Sequence, residues 1–101
     1  MAGSIVQPGT ILGCNVSLNT RSAVDHDCQI GDHVHISPGA ILSGGVVIGA
    51  GAHIGTGAIV IQQVTIGSEA MIGAGAFVTR SVPASARVRS PQSTLFVGDN
   101  F

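Results

Sequence analysis

An aliphatic residue stands at every sixth position from Val6 to Val78: Val6, Leu12, Leu18, Val24, Ile30, Ile36, Leu42, Ile48, Ile54, Val60, Ile66, Ile72 and Val78, with no exception. Four places after each comes a small or β-branched residue, from Thr10, Val16, Ser22 and Cys28 through to Ala76 and Val82. Triplets such as Val16-Ser17-Leu18 and Val34-His35-Ile36 therefore alternate in, out, in, which is the period of a strand. The residues between triplets are turn formers. Gly13, Gly31, Gly49, Gly55, Gly67 and Gly73 directly follow the aliphatic, and Pro8, Gly9, Pro38, Gly39, Gly45, Gly51, Gly57 and Gly75 complete the bends. A helix would scatter a period of six all round its wheel, so the pattern predicts a solenoid of very short strands stacked about 4.8 Å apart.

Composition narrows the function. The chain has 101 residues, of which 9% are charged; with four arginines, no lysine and a net charge of -1 it offers no basic surface for a phosphate backbone, which excludes nucleic-acid binding. A mean hydropathy of +0.51 excludes intrinsic disorder. With no Trp or Tyr and three Phe, the core has to be filled by small and β-branched residues. From Ile36 to Ser68 no charged side chain occurs, yet glycines every few residues, His53, Gln62 and Gln63 make this stretch part of the repeat and not a membrane helix. The N-terminus shows neither a signal-peptide pattern nor a lipidation motif, so a cytoplasmic location is expected. At this length one small domain is expected, and a partner subunit with it.

The two columns resemble the hexapeptide repeat of the left-handed parallel β-helix. That resemblance implies the left hand, three hexads to a triangular coil of eighteen residues, and about four coils over residues 1–83, followed by a C-terminal tail over 84–101. Folded at that count, the outward residues sort onto three faces: Ile5, Ala23, Ile41, Ile59 and Phe77 on one, Ser17, His35, His53 and Met71 on a second, Ile11, Gln29, Val47 and Thr65 on the third. The first is an apolar stripe that a monomer would leave in water, and it is expected to be a subunit interface. Its contact with a different face of the next copy closes a ring, and the resembled fold implies a homotrimer.

The polar chemistry is concentrated in one coil, from Val24 to Gly39, which holds His26, His33 and His35 together with Asp25, Asp27 and Asp32. His26 falls on a corner between two carboxylates, which can fix its tautomer, as a general base requires. An ordinary solvated turn gives the same residues. His33 is a corner residue and His35 a wall residue, so the two diverge and no metal is expected. Cys28 points inward as a small core filler and Cys14 sits on a corner, too far apart for a disulfide.

Asn19-Thr20, Val24-Asp25-His26-Asp27-Cys28, Ile30-Gly31-Asp32 and His33-Val34-His35-Ile36-Ser37-Pro38-Gly39-Ala40 resemble the sugar O-acyltransferase family of sialic acid O-acetyltransferases and UDP-amino-sugar N-acetyltransferases. The resemblance runs from about Ala2 to about Pro83 and implies acetyl-CoA as co-substrate and a sugar or nucleotide-sugar acceptor. It implies that His26 is the base and Asp27 its support, that His35 and Asn19 line the coenzyme end of the cleft, and that the Gly44 amide meets the thioester carbonyl. His26 and His35 lie half a coil apart, so they are expected to cooperate only across a subunit boundary. The N-terminal nucleotide-sugar-binding subdomain of that family is expected to be missing, and the exit after Pro83 also departs from the family pattern. Arg80, Arg87 and Arg89 are candidates for the CoA phosphates or for solubilising a tail. Three readings follow: an acetyl-CoA-dependent acyltransferase, a non-catalytic trimeric β-helix module or truncated remnant, and a metal-dependent hydrase.

Overall fold

The computed structural model describes residues 3–89. Fourteen two-residue strands wind into a parallel solenoid of triangular section, and among the described residues there is no helix. The first sheet stacks β1 (Ile5–Val6), β4 (Ala23–Val24), β7 (Ile41–Leu42), β10 (Ile59–Val60) and β13 (Phe77–Val78). The second stacks β2 (Ile11–Leu12), β5 (Gln29–Ile30), β8 (Val47–Ile48) and β11 (Thr65–Ile66). The third stacks β3 (Ser17–Leu18), β6 (His35–Ile36), β9 (His53–Ile54), β12 (Met71–Ile72) and β14 (Arg87–Val88). Every pairing up to β13 joins residues eighteen apart, such as Ile41 to Ile59 and His35 to His53, so one coil is three hexads.

Both sequence columns turn inward. From Leu18 upward the aliphatics and the small residues four places on form one continuous apolar core down the prism axis. Val6 and Leu12, in the first coil, have no coil beneath them among the described residues and are exposed. The bends share one conformation. Every sixth residue from Gly3 to Gly75 has positive φ, and six of these positions are not glycine: Asn15, Arg21, Asp27, His33, Gln63 and Glu69. A non-glycine residue adopts this left-handed conformation at some cost, smaller for Asn, Asp and His than for other residues.

The ladder continues past Pro83, where the sequence pattern suggested a tail. Val82 bridges to Ile66 and β14 pairs with β12, burying Ala86 and Val88 in the core. These partners are sixteen residues apart, two fewer than a full coil. The corner between Val78 and Val82 is two residues short, and the hexad resumes in shifted phase, with Ser85 as its left-handed turn residue. The remainder of the expected tail, from Ser90 onward, lies outside the described residues. Among the described residues no helix is long and apolar enough to cross a membrane.

Candidate active site

The three corners of the prism differ in how tightly successive coils can stack. At the corner after the second sheet, the residue following each aliphatic is Gly13, Gly31, Gly49 or Gly67, and a Cβ on Gly31 would lie 2.8 Å from the Ala50 backbone nitrogen of the next coil. Backbone meets backbone there. At the corner after the first sheet the same place holds Gln7, Asp25, Ser43 and Ile61, so side chains project and the wall opens. A cleft of about 380 Å³ lies on this corner, bounded by Asp25, His26 and Asp27 on one coil, Ser43, Gly44 and Gly45 on the next, and Gln62 and Gln63 above.

Backbone hydrogen bonds tie this corner to the coils beside it. The Asp27 N–H donates to the Pro8 carbonyl at 3.2 Å, the Gly45 N–H to the His26 carbonyl at 3.0 Å, and the Gln63 N–H to the Gly44 carbonyl at 2.9 Å. Asp25 closes its own turn by accepting the His26 N–H at 2.7 Å. The backbone under His26 is therefore fixed even though its side chain is exposed.

His26 Nδ1 lies 3.2 Å from Asp27 Oδ2. An ionised carboxylate only accepts, so Nδ1 carries the proton and Nε2 keeps its lone pair. Two glycines, each one coil away, make room for the pair. A Cβ on Gly9 would overlap Asp27 Oδ1 from below, and a Cβ on Gly44 would lie 2.8 Å from His26 Cε1 and 3.0 Å from Nε2. The imidazole thus rests against the Gly44 backbone, and the Gly44 N–H has no acceptor among the described residues.

Of the residues singled out in the sequence, the fold brings His26, Asp27 and Gly44 together. Asn19 and His35 meet elsewhere, on the third sheet and its following corner. Asn19 Nδ2 lies 3.0 Å from the Ile36 carbonyl and 3.2 Å from His35 Nε2. The carbonyl identifies that atom as the amide nitrogen, so it donates to both, and His35 accepts on Nε2 with its proton on Nδ1. His53 stacks on His35 with ring centroids 4.7 Å apart, and Ser37 Oγ lies 3.3 Å from its Nε2. Partial burial, and then the neighbouring His35 charge, push the His53 pKa down from 6.5. Within one chain His35 does not line the cleft of His26.

Ser43, Gly9 and Gln62 also shape this site, and sequence reasoning missed them; for Gly9 the signal is the eighteen-residue spacing that links it to Asp27, as it links Gly44 to His26. Both cysteines are free, Cys14 exposed and Cys28 buried behind the cleft. Among the described residues no three His, Cys, Asp or Glu side chains converge as metal ligands do. Beside the cleft, along the first sheet, a smaller groove of about 180 Å³ runs between Ile5, Ala23 and Ile41. Ile5, Ile41, Ile59 and Phe77 are all exposed on that face.

The profile of the bacterial transferase hexapeptide (six repeats) family matches residues 9–44 and again 45–80. The chain belongs to that hexapeptide transferase family. A comparison with curated proteins found no match. Among solved structures, this hexapeptide protein is similar to the acetyltransferase domain of PglB from Neisseria gonorrhoeae in complex with acetyl coenzyme A. The identity is 48% over 87% of this chain and 43% of that one, with a TM-score of 0.86. WeeI from Acinetobacter baumannii is 33% identical, covering 87% of this chain and 52% of that one, with a TM-score of 0.73. A mutant of perosamine N-acetyltransferase from Caulobacter crescentus, in complex with CoA and GDP-perosamine, is 32% identical, covering 96% and 54%, with a TM-score of 0.75. The chain thus spans about half, or less, of each of these structures.

Proposed function

We propose that this protein transfers the acetyl group of acetyl-CoA to an amine or hydroxyl of a sugar or nucleotide sugar, with His26 as general base. The observation that carries the reading is the His26–Asp27 pair, 3.2 Å apart and resting on Gly44 in an open cleft. Acetyltransferase structures holding acetyl coenzyme A, or CoA with a nucleotide sugar, support the same chemistry.

The acceptor nitrogen or oxygen bonds the thioester carbonyl carbon while His26 Nε2 takes its proton. The carbonyl oxygen gains charge, and the Gly44 N–H is the donor available to it. When the intermediate collapses the C–S bond breaks, and the departing CoA sulfur takes the proton from Nε2. Asp27 keeps the imidazole in the tautomer this exchange needs and offsets the charge it acquires. Acetyl-CoA lies between subunits in this reading, because the flat faces of a single prism offer little concavity. His35, held by Asn19, then faces the coenzyme from a neighbouring copy. The exposed stripe of Ile41, Ile59 and Phe77 is the proposed contact, in a homotrimer.

The test is CoA release, followed by chromatography against a panel of amino sugars and nucleotide sugars. His26→Ala should lower the rate about a hundredfold or more, with acetyl-CoA binding and oligomer mass unchanged, since the side chain is no part of the wall. Asp27→Asn should lower it less. An active His26→Ala protein would remove the mechanism.

A further inference from the structure

At the corner that carries the cleft, the inward column four places after each aliphatic reads Thr10, Cys28, Val46 and Val64. Its two polar members both reach one coil up. Thr10 Oγ1 donates to the Asp25 carbonyl at 2.7 Å, and Cys28 Sγ donates to the Ser43 carbonyl at 3.2 Å. The valines above have no donor to offer. Two peptide units at this corner are therefore held from inside the prism, Asp25–His26 and Ser43–Gly44, and these are the units whose nitrogens belong to His26 and Gly44.

In a planar trans peptide the C=O and N–H point in opposite directions. The Ser43 oxygen is drawn inward to a fully buried thiol, so the Gly44 N–H of the same unit is turned outward, to the cleft. Gly44 cannot fix this by itself, because glycine is the residue with the widest choice of backbone angles. We propose that Cys28 is a positioning residue, whose S–H···O bond to Ser43 sets the Ser43–Gly44 peptide so that its N–H is presented beside His26 Nε2. The inference rests on the acetyltransferase reading. Burial pushes the Cys28 thiol pKa up from 9.0, which keeps it protonated and a donor at neutral pH.

The solenoid supplies its own control, since Val46 and Val64 fill the same column and are buried. Cys28→Val thus keeps the core and deletes the donor, and Cys28→Ser restores a donor. In full-length protein carrying 13C and 15N labels, Cys28→Val should move the Ser43 carbonyl and Gly44 amide resonances. It should also lower kcat about fivefold with KM for acetyl-CoA within about twofold of wild type. Cys28→Ser should recover kcat to within about twofold. Unmoved resonances or an unchanged kcat in Cys28→Val, or a Cys28→Ser protein as slow as the valine variant, would overturn the inference and leave the acetyltransferase reading standing. A wild type that releases no CoA would overturn that reading, and the role of Cys28 with it.

Discussion

Gly44→Ala separates the site from the scaffold on which it is built. The added Cβ would stand 2.8 Å from His26 Cε1, 3.0 Å from Nε2 and 3.3 Å from Nδ1. Carbon atoms in contact rest about 3.5–4.0 Å apart, so the ring has to retreat by roughly 0.7 Å or swing away. It is free to do so, because the His26 side chain is 64% exposed. Gly44 is not among the positive-φ residues, so alanine meets no backbone penalty there. Thermal stability should therefore stay within about 0.5 kcal/mol of wild type. Activity should not. Misplacing a catalytic group by about 1 Å costs on the order of a hundredfold, and a 0.7 Å displacement that also disturbs the Asp27 bond should slow acetyl transfer about thirtyfold, or about 2 kcal/mol. The assay is the initial rate of CoA release beside a thermal melt of the same sample. Gly9→Ala is the contrasting variant: its φ of 82 makes alanine strained, and its Cβ would displace Asp27, so it should lower both stability and rate. A Gly44→Ala protein within about threefold of the wild-type rate would refute the claim that the His26 ring is seated on this glycine.

Ile41→Asp places a carboxylate in the middle of the apolar stripe, between Ala23 and Ile59, and should reduce the sedimentation-equilibrium mass to that of one chain; an unchanged oligomer would mean the stripe is not the interface. The stacked imidazoles predict an acid limb of stability. The His53 pKa is pushed down from 6.5 by partial burial and by His35, so the neutral form is favoured by folding. That contribution is fully present above pH 6.5 and is lost as the pH falls through the depressed folded value. His53→Gln should flatten the decline of the melting temperature below pH 6.5, and a parallel decline in both proteins would count against the stack as its cause.

The fold was legible because a solenoid repeats its burial pattern. Every inward position from Leu18 to Val78 follows from counting in sixes, and the strand faces follow once the coil is eighteen residues. The count fails only where the chain itself departs from it: between Val78 and Val82 the corner loses two residues, and a fixed period cannot carry Ala86 and Val88 into the core. The site was legible in part. His26, Asp27 and Gly44 share a corner because 26 and 44 differ by one coil, whereas Cys28 looks like a filler in sequence, its small size hiding a thiol aimed at a carbonyl one coil away. Whether an inward polar atom has a partner depends on the stacking of coils, which a single hexad does not reveal.

The location of the cleft follows from the same stacking. Where glycine follows the aliphatic, as at Gly31 and Gly49, the coils close to backbone contact and leave no room for a ligand. At the corner after the first sheet that glycine is replaced by Asp25 and Ser43, and the space is recovered one residue further on, at Gly44, one coil above the histidine. The wall there is opened by side chains but would lose definition if its peptides were free to turn. Thr10 and Cys28 supply that definition from the interior, where Val46 and Val64 suffice for the coils above. The geometry of the cleft, on a repeat of near-identical corners, thus depends on departures at a few columns, each compatible with the core because the replacing side chains are small and every buried side-chain polar atom among the described residues is bonded.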